Sequence, residues 1–395
     1  MQISNETVAQ TPRVPVLLFA VAVGVIITNL FAPQTLVSLM TGAFNLDASY
    51  GGLMAMISPI GYALGLLFIV PLADLVENRR LVLTMLTVAG LSAAGVLLAP
   101  NFVSLLILLF VLGAACSTIQ VLVPSAASMA APEERGRIIG DIMSGLMIGI
   151  LLSRPIASFL AGIWGWKAFY VFSAASIALL GLTLSIRLPQ RRPGQVITYR
   201  QLIASMWHLF RDETVLRNRS ISAAIVMAAF NFFWTTIAFV LEGAPFEMGQ
   251  KGIAVFALVG AGGAIVTPMV GRWSDQGHGR RVTNIAHVVL MGGFVLAAVS
   301  GVITSVPAFV MLIGLGLSAV LLDVGVLGNH TVGRYMINLL NPAARGRINA
   351  IFVAVFFVGG AIGSALSGFL WASGGWMAVC AGGVVLGLIA AVAPK

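Results

Sequence analysis

Apolar residues fill this chain in long runs broken by short polar interruptions. Twelve runs can be drawn, at about residues 14–40, 49–71, 80–99, 103–130, 137–162, 166–187, 219–242, 251–271, 282–303, 306–335, 348–372 and 375–393. Each approaches or exceeds the ~20 apolar residues that let an α-helix cross ~30 Å of hydrocarbon. The strands of a membrane barrel alternate over only ~10 residues, so runs of this length predict helices. Composition sharpens the reading: 59% of the 395 residues are hydrophobic and 9% charged, with mean hydropathy +1.02. A soluble chain carries about a quarter charged residues. The expected fold class is therefore an all-α membrane protein with twelve transmembrane helices. The polar N-terminal residues lack a cleavage pattern, so the first run is expected to be retained.

The net charge of +9 invites comparison with nucleic-acid-binding proteins, but the arginines form no reading surface. They are sorted by side instead. In a twelve-span arrangement with both termini cytoplasmic, all of the 22 Lys and Arg fall on the cytoplasmic side except Arg154, Lys167 and Lys251. Positive residues favour that side, which fixes the expected orientation. Cys116 and Cys380 fall inside apolar runs and read as small fillers.

The polar segments repeat. Asp74 precedes Arg79 and Arg80, and Asp275 precedes Arg280 and Arg281 at the same spacing. Pro132–Arg137 and Pro342–Arg347 echo each other 210 positions apart, and a Gly-Trp element follows each, ending at Trp166 and Trp376. Two related halves of six spans are expected, residues 1–187 and 219–395, joined by a cytoplasmic linker, 188–218. Duplicated halves that rock about a central site are a transporter's architecture. Within the linker, Thr198 to Gln201 fits a capping box opening an amphipathic helix for the inner leaflet. Pro132 and Pro342 suit the first turn of a helix. Gly145/Gly149 and Gly359/Gly363 have the spacing that lets membrane helices approach closely.

These residues resemble the major facilitator superfamily over essentially the whole chain. The segment from Val70 through Asp74 to Arg79-Arg80 is similar to the family's loop signature between spans 2 and 3, with Val70 where glycine is usual. Gly271 through Asp275 to Arg280-Arg281 is its weaker echo. The resemblance implies two six-helix bundles, a central cavity, alternating access, a bacterial inner-membrane location and a small-molecule substrate. It also implies a gating role for Asp74, Arg79, Arg80, Asp275, Arg280, Arg281, Arg137 and Arg347. Asp74 would face the N-terminus of span 11 and Asp275 that of span 5, where helix dipoles favour a carboxylate. The arginine common in span 4 of the family's drug–proton antiporters is missing from Leu108–Gly113, and the span-5 antiporter pattern survives only as Gly149 to Arg154-Pro155.

Arg154 and Asp323 are the base and acid placed deep within apolar runs. Charges there cost at least ~2.5–3.5 kcal/mol and therefore face a cavity or a partner. Arg154 aligns with Ser364 at the 210 spacing, so this charge is not duplicated. Asp323, His330 and Arg334 fall on one helical stripe. A carboxyl group at Asp323 can take up and release a proton, and His330 can pass it inward through water. Arg154 would hold Asp323 ionised until a substrate or proton separates them, or bridge it permanently. Asn29, Gln34, Gln120, Asn231, Trp234 and Asn329 are placed to line a cavity. Phe230, Phe232, Phe233 and Trp234 are nearly consecutive, so about half are expected to face lipid.

No nucleotide loop, metal cluster or nucleophile constellation is present in the sequence, so no cofactor and no enzyme activity are expected. The expected partners are a small-molecule substrate, protons and the lipid bilayer, with no nucleic acid, and the chain is expected to act as a monomer. The function expected is proton-coupled export of small amphipathic organic molecules. A symporter or exchanger for an anionic metabolite is the alternative that Arg154 favours, and a non-transporting receptor on a transporter fold is a third.

Overall fold

The computed structural model describes residues 15–47, 50–131, 134–192, 198–260, 262, 269–270, 272–273, 276–303, 305–341 and 344–393. The described residues are helical and contain no strand. In the N-terminal half, α1 (Val16–Phe31) and α2 (Pro33–Ala43) form one span bent by 45°. The bend falls at Pro33, which has no N–H to continue the α1 hydrogen bonds. α3 (Tyr50–Leu64) runs on through a π-helical turn to a 3-10 turn ending at Asp74. α4 (Asn78–Val96), α5 (Phe102–Cys116) with its continuation α6 (Ile119–Ser128), α7 (Arg135–Trp164) and α8 (Lys167–Arg187) complete this half.

The linker forms α9 (Tyr199–Asp212), opened by the expected capping box of Thr198 and Gln201. α10 (Thr214–Glu242) begins inside the expected linker. α11 (Gln250–Gly260), α12 (Gly279–Val302), α13 (Ala308–Asn338) and α14 (Arg345–Val392) follow. α7 and α14 start at the repeated arginine segments, as expected; Pro132, Glu133, Pro342 and Ala343 lie outside the described residues.

Nine of the described helices are long and apolar enough to cross a membrane, and the bent α1–α2 pair makes ten. α14 is 48 residues long, or ~70 Å at 1.5 Å per residue, more than twice the hydrocarbon thickness. Its backbone leaves helical geometry at Gly374 and Gly375, the latter at φ +60° and ψ −152°, a conformation open to glycine. Gly165 ends α7 at φ +82°. The repeated Gly-Trp element thus turns the chain at the same place in each half. Reading α14 as two crossings leaves one expected span, 251–271, of which α11 is too short alone and residues 261 and 263–268 lie outside the description.

The two halves are assembled on matching seams. In the first, α1 meets α7 where Gly24 faces Gly145 and Gly149; in the second, α10 meets α14 where Ala224 and Ala228 face Gly359 and Gly363. A Cβ on Gly149 or Gly363 would run into the opposing backbone, so both seams use glycine for the expected purpose.

One end of the molecule carries the linker. At the opposite, far end the halves touch directly. Ser38 donates to Glu242 at 2.7 Å, Gln250 donates to the same carboxylate oxygen at 2.8 Å, and Gly52 lies against the backbone of Ser364, Ala365 and Gly368. At the linker end α9 ties to both halves: the Tyr199 hydroxyl donates to the Phe68 carbonyl at 2.8 Å, and Arg347 donates to the Ser205 hydroxyl at 2.7 Å.

Candidate functional site

α10 is the most enclosed of the long helices. Its Phe230, Phe232, Phe233 and Trp234 are all buried, which corrects the expectation that half would face lipid. Their near-consecutive spacing points them in several directions, but α10 has neighbours on every side. Phe233 packs on Trp376, with ring centroids 5.7 Å apart, while Phe230 and Trp234, one turn apart, turn to the middle of the molecule.

There they meet Arg154. Pro155 follows it in α7, so the carbonyl of Leu151 has no intrahelical N–H and the helix is locally weakened beside the charge. Arg154 is 5% exposed. Its Nε and Nη2 donate to Gln34 Oε1 at 3.1 and 2.9 Å. Gln34 Nε2 donates to Asn231 Oδ1 at 3.1 Å, and Asn231 Nδ2 donates to the Gly360 carbonyl at 2.7 Å. This chain of donors runs from the first half into the second, each bond polarising the next. The guanidinium carbon lies 4.1 Å from the ring centroid of Trp234, 5.4 Å from that of Phe31 and 5.5 Å from that of Phe230. Aromatic faces attract a cation most strongly where water is excluded.

The Trp234 indole has a second role. Its Nε1 donates to Asp323 Oδ1 at 3.3 Å. Arg154 and Asp323 thus lie on two sides of one side chain: the cation on the ring face, the carboxylate at the ring N–H. No direct ion pair joins them in this conformation; the ion pair present among the described residues is Arg137–Glu134 at 3.0 Å, an exposed pair at the start of α7.

Asp323 keeps partial exposure, as do Gln120 and His330 further toward the linker end. Gln120 donates to the Tyr62 hydroxyl at 3.4 Å, and the Tyr62 ring stands edge-on to Phe357 with centroids 4.7 Å apart. His330 is held against the rings of Phe352 and Phe356, at 5.3 and 4.7 Å, and makes no hydrogen bond to a described residue. Seven residues of helix separate it from Asp323, about 10 Å along the axis, so a proton passing between them needs water. Arg334, next on the stripe, donates to Asn349 at 3.4 Å.

Two of the expected cavity residues belong elsewhere. Asn29 accepts from Ser173 at 2.6 Å inside the first bundle. Asn329 accepts from Ser222 and bonds His287, both at 3.2 Å, inside the second. Each is an amide satisfied between helices, where an unpaired polar group would cost more than a packed one.

The expected gating residues are dispersed. Asp74 is exposed and makes no hydrogen bond or ion pair with described residues. Arg79 donates to the Ser185 carbonyl, which anchors α4 to α8. Arg80, Arg280 and Arg281 are exposed, Arg137 pairs with its neighbour Glu134, and Arg347 reaches α9. Asp275 lies outside the described residues.

Ser38, Tyr62 and Glu242 were missed by sequence reasoning. Glu242 ends an apolar run and reads as a boundary; only the fold brings Ser38 and Gln250 to it. Arg219, the first residue of the expected run 219–242, lies inside α10 at 4% exposure, deeper than the start of a span suggests.

The sequence profile described as Major Facilitator Superfamily matches residues 17–329. The uncharacterized transporter YgaY of Escherichia coli O157:H7 is 34% identical over 379 residues, covering 95% of this chain and 93% of that protein. The transcription regulatory protein OpdE of Pseudomonas aeruginosa is 24% identical over 380 residues, covering 95% of this chain and 91% of its own. Among solved structures, the nucleoside transporter NupG superposes with a TM-score of 0.73 at 14% identity, covering 94% of this chain and 98% of that one. With its paired bundles, linker helix and central charged residues, and with a profile match over most of its length, this chain belongs to the Major Facilitator Superfamily.

Proposed function

We propose that the protein is a proton-coupled exporter of small amphipathic organic molecules, and that Asp323 carries the coupling proton. The observation that supports this most is the arrangement Arg154–Trp234–Asp323. It crosses the interface between the halves: Arg154 belongs to the first, Trp234 and Asp323 to the second. An ionised Asp323 attracts Arg154 across that interface and helps hold the far end shut. A proton on Asp323, or a substrate group that engages it, removes the attraction and lets the far end part. One carboxyl group answered by either ligand, but not both at once, is the logic of exchange. Around Arg154 and Asp323 the rings of Phe31, Phe230 and Trp234, with the amides of Gln34 and Asn231, give an apolar setting with few polar groups, which suits an amphipathic substrate. Asp74 and Asp275 would then latch the linker end in the opposite state, which agrees with Asp74 being unpartnered here.

The alternative is a symporter or exchanger for an anionic metabolite, for which Arg154 would supply the recognising charge. Against it, two guanidinium donors are already accepted by Gln34, and the side chain is nearly enclosed. The likeness to a protein named as a transcription regulator keeps a receptor reading in view. Cysteine accessibility from both sides of the membrane separates that reading, since a receptor need not alternate.

The test is purified protein in proteoliposomes with an imposed pH gradient and a panel of amphipathic cations, neutral compounds and organic anions. The proposal expects movement of an amphipathic compound against the proton flux. Movement of organic anions alone would select the alternative, and no gradient-dependent movement of any class would contradict proton coupling.

A further inference from the structure

Away from the centre, the linker end of the C-terminal half holds a cavity of about 640 Å³ between α10, α12, α13 and the end of α14. Arg219 and Arg280 line it, with Tyr335, Met336, Leu339 and Val392. Arg219 is 4% exposed; its Nη1 donates to the Thr283 hydroxyl at 3.3 Å and its Nε has no hydrogen-bond partner. No carboxylate among the described residues pairs with it. A guanidinium cannot shed its proton to escape burial. A buried charge with no carboxylate partner among the described residues is costly, so this one calls for an anion. The surrounding residues describe that anion. A second arginine, Arg280, and Tyr335 line the same cavity, and arginine forks match the several oxygens of a phosphate. Met336, Leu339 and Val392 supply an apolar wall beside them, as an attached acyl chain requires.

We infer that this cavity binds a phosphate group, and that the phosphodiester headgroup of an anionic phospholipid is its natural source, with free phosphate sharing the same chemistry. The chain's positive residues collect at this end, and anionic headgroups of a membrane leaflet are attracted to such a surface. The site is independent of Asp323 and of the coupling chemistry above.

The test uses the full chain in detergent, with thermal unfolding and native mass spectrometry as readouts. Phosphatidylglycerol, phosphatidylcholine and inorganic phosphate are added separately. The expected result is a rise in Tm of about 3 °C or more with saturating phosphatidylglycerol, and a retained lipid adduct. Phosphatidylcholine should do neither. Arg219→Gln should abolish both effects and Arg280→Gln should at least halve them; should Arg219→Gln not fold, Arg280→Gln and Tyr335→Phe carry the test. A rise with inorganic phosphate equal to that with lipid would support the site with the free ion as its occupant. Equal effects of both lipids would mean apolar solvation and overturn the inference. So would no effect of either phosphate source, which would mean that Arg219 is neutralised within the chain.

Discussion

The two halves of this protein are alike where they pack and unlike where they meet. Gly24 facing Gly145 and Gly149 in the first half has its counterpart in Ala224 and Ala228 facing Gly359 and Gly363 in the second. Gly165 and Gly375 turn the chain before matching tryptophans. At the interface the symmetry stops: one half brings Gln34 and Arg154, the other Asn231, Trp234 and Asp323. The proline–arginine segments and the Gly-Trp elements are 210 residues apart but the seam glycines are 214 apart, a difference of about one helical turn. The position equivalent to Arg154 is therefore Ser364 by loop spacing or Gly368 by seam, and neither carries a charge. What was copied is the means of packing. What was not copied is the chemistry.

The seams can be broken most severely. Gly149→Leu and Gly363→Leu should each cost about 1–3 kcal/mol or more by overpacking, since the added atoms meet backbone that cannot rotate away. Thermal unfolding in detergent should rank the two alike; a severe loss in one half and none in the other would deny their equivalence.

The interface should respond differently. Arg154→Ala and Asp323→Asn should each destabilise, and the double variant should fall short of their sum by about 0.5–3 kcal/mol. Repeating the cycle with Trp234→Ala should shrink that coupling, because the indole is the shared partner. Additive effects on the original background would place no communication between the two charges. If Arg154→Lys keeps stability but loses transport, the guanidinium fork serves the substrate, and the anionic alternative gains.

Smaller effects are expected at the two ends. An interhelical hydrogen bond in a membrane averages about 0.6 kcal/mol. Ser38→Ala should therefore shift the population away from far-end closure by about threefold, and Glu242→Gln, which also weakens the bond from Gln250, by more. Asp74→Asn should move the balance oppositely, toward the conformation described here, because it disables a latch that belongs to the other state. Spin-label distances across each end read both shifts; unchanged distances would remove the latches. His330→Ala should slow turnover only severalfold, since water can stand in for a relay with no hydrogen bond of its own among described residues.

Helices, halves, linker helix and turn positions were legible in the sequence because hydrophobic length, capping and glycine spacing are local signals. Arg154 and Asp323 were legible because a charge in an apolar run is conspicuous. Trp234's place between them was not, since one aromatic among five on α10 carries no mark of the direction it faces. Asn29 and Asn329 misled for the same reason: an amide within a span points to a cavity or to a neighbouring helix, and only Ser173, Ser222 and His287 decide between them. Glu242 was hidden because its partners come from 204 residues upstream and from the next helix. The burial of Arg219 was hidden because it stands at the very start of its apolar run, beside Arg211 and Arg217 of the polar linker.

One pair of assays on one variant addresses the assignment of the coupling proton to Asp323. Asp323→Asn in proteoliposomes should lose pH-driven movement of a transported compound while keeping exchange of that compound at equal pH on both sides, because the halves can still rock around an occupied site. Full pH-driven transport by Asp323→Asn would contradict the assignment of the coupling proton to this residue.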